Sequence, residues 1–223
     1  MKKILSLFVF LLMSNTVNAV SLYDSGIATT NSNRCVAEGC RGSTEWWMIS
    51  EFTADEDWNV SGFEFFAADF NATNPNGVGI SNYESTSWEI ISGDDPYGVA
   101  LFSGTNIADI SDSGSFTDVS GNNVNVISFL VSDLAIELGS GTYFLAEHHD
   151  FSDESQFTGL ETNTIETYYH TDRAGVEVEG KNTHVVKING TVDGVVDVPE
   201  PALIAIFGLG LLGLGFSRKK KNI

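Results

Sequence analysis

The sequence predicts an all-β protein: an antiparallel β-sandwich with a signal peptide before it and a transmembrane helix after it. Three observations predict this. Between residues 20 and 193, apolar and polar residues alternate in many short stretches, and no run has helical periodicity. Aromatic and β-branched residues fill those stretches, while Asp, Asn, Gly and Ser fill the segments between them. The two ends break the pattern, since each sets an uncharged apolar run beside basic residues.

Residues 1–19 read as a secretory signal. Lys2 and Lys3 precede an apolar run from Ile4 to Met13, and the polar stretch after it ends in Val17-Asn18-Ala19. That ending is close to a small-x-small cleavage site and places the cut after Ala19. Ten helical residues cover about 15 Å, half of a ~30 Å hydrocarbon core, so the run is too short to anchor the chain. Signal peptidase and the general export machinery are therefore its first partners.

Residues 20–193 form the exported domain. Alternating stretches are WWMISEF (46–52), WNVSGFEFF (58–66), TSWEII (86–91), VALFSG (99–104), VNVISFLVS (124–132), LAIEL (134–138), GTYFLAEHH (141–149), TIETYYH (164–170) and HVVKING (184–190). Turn-forming clusters such as NATNPNG, SGDDPYG and DSGSFTDVSGNN lie between them. So many short strands in one segment point to an antiparallel sandwich or barrel rather than to alternating β/α units. Residues 20–197 hold 29 acids and five bases, a charge of −24 within a chain of −19. A surface that negative repels phosphate backbones, so nucleic acid is excluded as a partner.

Cys35 and Cys40 sit in NRCVAEGCRG. After export a disulfide persists, and one this short staples a surface turn. His148 and His149 end a strand, where alternation sends them to opposite faces while Glu147 and His149 share one. The ordinary reading of that pair is two histidines on a strand edge, since His170 and His184 reach them only through tertiary contact. Carboxylates and loop carbonyls make calcium the metal the composition favours. Asp55, Asp57, Asp150 and Asp153 are its candidates, although none lies in an ordered D-x-D-x-D-G loop. No G-x-S-x-G elbow and no HExxH motif occurs, so no catalytic residues are assigned and no cofactor is required. Trp46 and Trp47 must face opposite sides of their strand, which makes them the candidate platforms for stacking on a sugar.

The C-terminal segment reads VPEPALIAIFGLGLLGLGFSRKKKNI. Ala202–Phe216 carries no charge and is apolar all round, unlike a surface helix of a soluble domain. As a helix it spans about 23 Å, which snorkelling side chains and local thinning extend to the bilayer. Arg218, Lys219, Lys220 and Lys221 follow it and act as a basic stop on the cytoplasmic side. Pro199-Glu200-Pro201, the apolar run and the basic cluster, in that order and behind a signal peptide, resemble the PEP-CTERM sorting signal of Gram-negative bacteria. The resemblance covers about the last twenty-five residues, within a segment 194–223 that is linker plus signal. It implies recognition by an exosortase, cleavage near the PEP motif, and a product that accompanies exopolysaccharide or biofilm. The strings GFEFFAADF, TSWEII, LFSG and LGSGTYFLA also resemble the exported domains that precede such tails, and this likeness implies a jelly-roll sandwich.

The expected function is therefore that of an envelope or extracellular-matrix protein. It is held briefly at the inner membrane as a precursor and is not an enzyme, and its β-sandwich serves as an interaction module. The alternatives are a carbohydrate-binding module, assisted by calcium, and a secreted hydrolase.

Overall fold

The computed structural model describes residues 19–36, 46–69, 82–117, 121, 123–152, 157–162, 168–171, 177–179 and 184–193. The predicted signal peptide up to Asn18, Cys40, Asp153, the PEP motif, the apolar run and the basic stop all lie outside these residues. Ala19–Asp193 make one compact unit. Among the described residues there is no helix, so none is long and apolar enough to cross a membrane.

The described strands are β1 (Val20–Asp24), β2 (Thr30–Cys35), β3 (Trp47–Ala54), β4 (Trp58–Asp69), β5 (Tyr83–Ser92), β6 (Ala100–Asn106) and β7 (Asp109–Thr117). They continue with β8 (Asn123–Val131), β9 (Ile136–Leu138), β10 (Gly141–Phe151), β11 (Phe157–Glu161), β12 (Tyr168–Thr171), β13 (Glu177–Glu179) and β14 (Val186–Val192). They form two antiparallel sheets. One has the order β13-β12-β3-β10-β5-β6. The other is built around β4, with β14 and then β1 along one side and β9, β8 and then β7 along the other. Its strands β11 and β2 extend from the far end of β4. Sheets ordered β1-β14-β4-β8 and β3-β10-β5-β6, with the chain crossing between the two sheets after β2, β3, β4, β6, β9, β10, β11 and β13, have the connectivity of a jelly roll.

β4 shows why the sequence folds this way. Trp58 and Val60 point into the core, and strict alternation would then send Phe63 and Phe65 outward. An extra residue at Ser61, opposite the Asn189–Gly190 step of β14, resets the register, so Phe63, Phe65 and Ala67 also point inward. Phe63 meets Trp88 of the facing sheet with ring centroids 5.2 Å apart, and Phe52 stacks on Trp58 at 6.0 Å. Met48, Ile90 and Leu145 from one sheet and Phe129 and Ile188 from the other complete the shared core.

β10 is buried on both faces. Leu145, Glu147 and His149 face the other sheet, while Phe144 and Ala146 join Trp47, Ile49 and Ile91 on the outer side. Tyr97, from the β5–β6 connection, and Tyr169 of β12 pack against that outer cluster. Its long apolar run therefore reflects a central strand covered on two sides.

The structure adds strands that alternation did not mark. β7, DISDSGSFT, is a polar segment that reads as turn. It forms a strand because β8 supplies its ladder partners, while nearly all its side chains face water. Phe63 is fully buried at the centre of this packing, so Phe63→Ala is expected to lower unfolding free energy by about 3–5 kcal/mol, the usual cost of emptying a core aromatic site. Denaturant titration of the exported protein measures it.

Candidate functional site

The densest group of titratable side chains lies inside the sandwich, with Glu147 at its centre. β10 places Glu147 and His149 on the same inner face, two residues apart. His184 comes from the other sheet, just before β14, where it bridges to Glu161 of β11. Its Nδ1 stands 2.9 Å from Glu147 Oε1, and His149 Nε2 stands 3.5 Å from Oε2. All three side chains are at most 2 % exposed. Each carboxylate oxygen of Glu147 thus faces one imidazole nitrogen, and the carboxyl is held between the two rings. Gly159 makes room for this arrangement, because a Cβ there would stand 2.8 Å from both His184 Nε2 and Met48 Cε.

The other side of His149 is well defined. Its Nδ1 is 2.9 Å from Thr86 Oγ1, Thr86 is 2.8 Å from the Tyr83 hydroxyl, and the Ala108 N–H donates to that hydroxyl at 2.9 Å. The Glu147 carboxylate faces His149 Nε2 and favours the proton there, in which case Nδ1 accepts from Thr86 and Thr86 accepts from Tyr83, whose hydroxyl also lies 3.4 Å from the Asn106 carbonyl. Phe129 stacks on the ring at 4.0 Å and Phe65 meets it edge-on. Burial among these rings depresses the His149 pKa below its ordinary 6.5, against the pull of Glu147. For Glu147, burial acts to raise the pKa, but His184 and His149 outweigh it and hold the carboxyl below its ordinary 4.5. Burial also raises the Tyr83 hydroxyl.

His148, on the opposite face, has a different role. Its Nδ1 is 3.0 Å from the Trp46 carbonyl and its Nε2 is 3.0 Å from Asp150 Oδ1. Both partners are acceptors, so both bonds form only with a doubly protonated ring. Asp150 also accepts from Ser85 Oγ at 2.7 Å. Burial acts to raise its pKa, but the bonds from His148 and Ser85 outweigh it and hold the carboxyl low. Trp47 stacks on His148 at 5.4 Å.

The histidines are therefore not on a strand edge, since β10 lies between β3 and β5 and both rings are buried. Trp47 is only 8 % exposed, with its ring against His148, so it offers no open sugar platform. Trp46 is half-buried and stacks on His170 at 4.4 Å with the planes 4° apart. The calcium candidates do not converge. Asp55 and Asp57 lie in the β3–β4 turn, beside Ser140, whose N–H donates to Asp57. Asp150 lies nine strand residues beyond Gly141, about 30 Å away. Asp153 is outside the described residues. Among the described residues no group of three or more His, Cys, Asp or Glu side chains is placed to hold a metal ion. Cys35 ends β2, and its pairing with Cys40 lies outside the described residues.

Thr86, His149 and Glu147 have the order of a hydroxyl–imidazole–carboxylate relay, with the hydroxyl and ring fully buried. What the arrangement does chemically is store a charge between two sheets. Both lowered pKa values belong to groups whose stabilisation is full above the unfolded pKa and disappears as pH falls. Stability is expected to drop on acidification, first below about pH 6.5 as unfolded His149 takes up a proton, then more steeply below about 4.5. Melting temperature against pH measures this, and His149→Gln should remove the upper part of the drop and also alter the lower part, because His149 helps to hold Glu147 low.

No curated protein and no solved structure matches the chain. Residues 197–219, directly beyond the described sandwich, match the family model for the PEP-CTERM protein-sorting motif, and the chain carries that motif.

Proposed function

We propose that the protein is exported, anchored by its C-terminal sorting signal as a precursor, and processed by an exosortase. Its β-sandwich then acts outside the cell as a non-catalytic structural or interaction module in an exopolysaccharide-rich envelope, without a cofactor. The observation that carries this reading is the PEP-CTERM motif at 197–219. In the sequence it begins four residues after Asp193, whose N–H caps the last strand on the Asp57 carbonyl. The non-catalytic part is supported by the Glu147 cluster, where the nearest likeness to catalytic machinery is fully buried. The half-buried Trp46 supports a second reading as a sugar binder.

Replacing Pro199-Glu200-Pro201 with alanines is expected to leave a larger, membrane-held precursor, seen by immunoblot of fractionated cells. Normal release of that variant overturns the reading. Retention on immobilised polysaccharide that is lost in Trp46→Ala establishes the sugar-binding alternative instead.

A further inference from the structure

The edge of the six-stranded sheet at β6 differs from the other edges. Among the described residues β6 pairs with β5 alone, which leaves its second ladder open. Along it and just beyond its ends, every second residue is exposed: Val99, Leu101, Ser103, Thr105 and Ile107. Leu101 is 52 % exposed, Ile107 84 % and Val99 92 %, and these are three of the five large exposed hydrophobics among the described residues. An open strand edge with an apolar row recruits another strand unless something prevents it.

Charge distinguishes this edge and names the occupant. β1 contains Asp24, β2 Arg34, β7 Asp109 and Asp112, β9 Glu137, and β13 Glu177 and Glu179. β6, ALFSGTN, contains no charged residue. Two copies of a chain of −19 repel one another at acidic edges, and β6 is where they meet without opposing carboxylates. The sequence of the edge also suits two-fold pairing. Leu101 is the extra residue at the bulge opposite the Ile90–Ile91 step, so the regular segment is Phe102–Asn106, centred on Gly104. An antiparallel pair with its axis at Gly104 sets Ser103 opposite Thr105 of the second copy, and Leu101 opposite its Ile107. Gly104 faces inward, where Trp88 fills the space and a Cβ would approach it to 2.6 Å, so it adds nothing to the exposed outer row.

We infer that β6 is a self-association edge, through which two copies join their six-stranded sheets into one of twelve strands. This deepens the structural reading above by naming a second copy as the partner. A seven-residue edge falls below the ~1,200 Å² that stable interfaces bury, so the pair is weak in dilute solution and forms at high local concentration. Repulsion between two acidic bodies opposes it, and salt, which shortens the screening length from about 10 Å at 0.1 M to about 3 Å at 1 M, strengthens it.

The test uses the full chain as exported by producing cells. In sedimentation velocity at about 100 µM, the dimer fraction is expected to rise with salt. Leu101→Lys should weaken association at least tenfold while leaving the melting temperature unchanged, because the side chain is exposed. The double variant Ser103→Cys/Thr105→Cys should give a covalent dimer on a non-reducing gel, and Ser115→Cys/Thr117→Cys on the acidic β7 edge should not. No covalent dimer, equal dimer from both pairs, or association that falls with salt overturns the inference. Release after PEP replacement is scored separately, so the sorting reading and the self-association reading fail independently.

Discussion

The packing of Phe63 on Trp88 is where two sheets become one domain. Each sheet alone would leave an aromatic face in water, and neither could keep its register without the other. Centroid separations of 5–6 Å along Phe52–Trp58, Phe63–Trp88 and Tyr83–Phe129 run the contact along the sandwich. The Ser61 bulge makes this possible, since without it β4 would turn half its large side chains to the wrong side. The jelly-roll order follows from the same need. Every crossing between sheets brings another apolar face over the core, and β4, the longest strand, is the one on which most of the second sheet is assembled.

Against that apolar background, β10 carries two adjacent histidines in opposite environments. Strand alternation alone separates them. His149 faces the core, where Phe129 and Phe65 exclude water and favour the neutral ring. His148 faces outward, where Trp46 and Asp150 present two acceptors and favour the charged one. Asp150 is partnered by His148, and Glu147 by His184 and His149. A buried ionised group of this kind is costly to maintain and costlier to half-dismantle. The cluster therefore penalises any separation of the sheets that would strand Glu147 without His184, and it makes the fit between the two faces specific.

Much of the fold was legible in the sequence because the strands with one buried face alternate. WWMISEF, TSWEII and VNVISFLVS became β3, β5 and β8 with small shifts at their ends. β7 and β11 were not legible. β7 is mostly polar and β11 is only five residues long with a glycine at its centre, and both are strands because a neighbour supplies ladder partners, which local pattern does not report. Of the site, the sequence showed that Glu147 and His149 share a face. It could not show that His184, 35 residues later, closes on Glu147, because that contact depends on how β11 and β14 are laid against β4. The one available signal was Gly159, an unsubstituted position inside an otherwise strand-like segment, which marks a close approach. Trp47 misled for a related reason. An outward-facing tryptophan on a half-exposed sheet would be a platform, but this sheet is covered on its outer face.

The order of the strands also bears on processing. β14 is the last strand, yet it is interior to its sheet, bonded to β1 on one side and to β4 on the other. The sandwich is therefore incomplete until nearly the whole exported segment is available. A cut within β14 would remove a central strand, whereas one beyond Asp193 would spare every strand bond described. The sorting motif begins at residue 197, on the safe side of that boundary. A cut in the sequence beyond Asp193 therefore leaves every described contact around Phe63 and Glu147 in place.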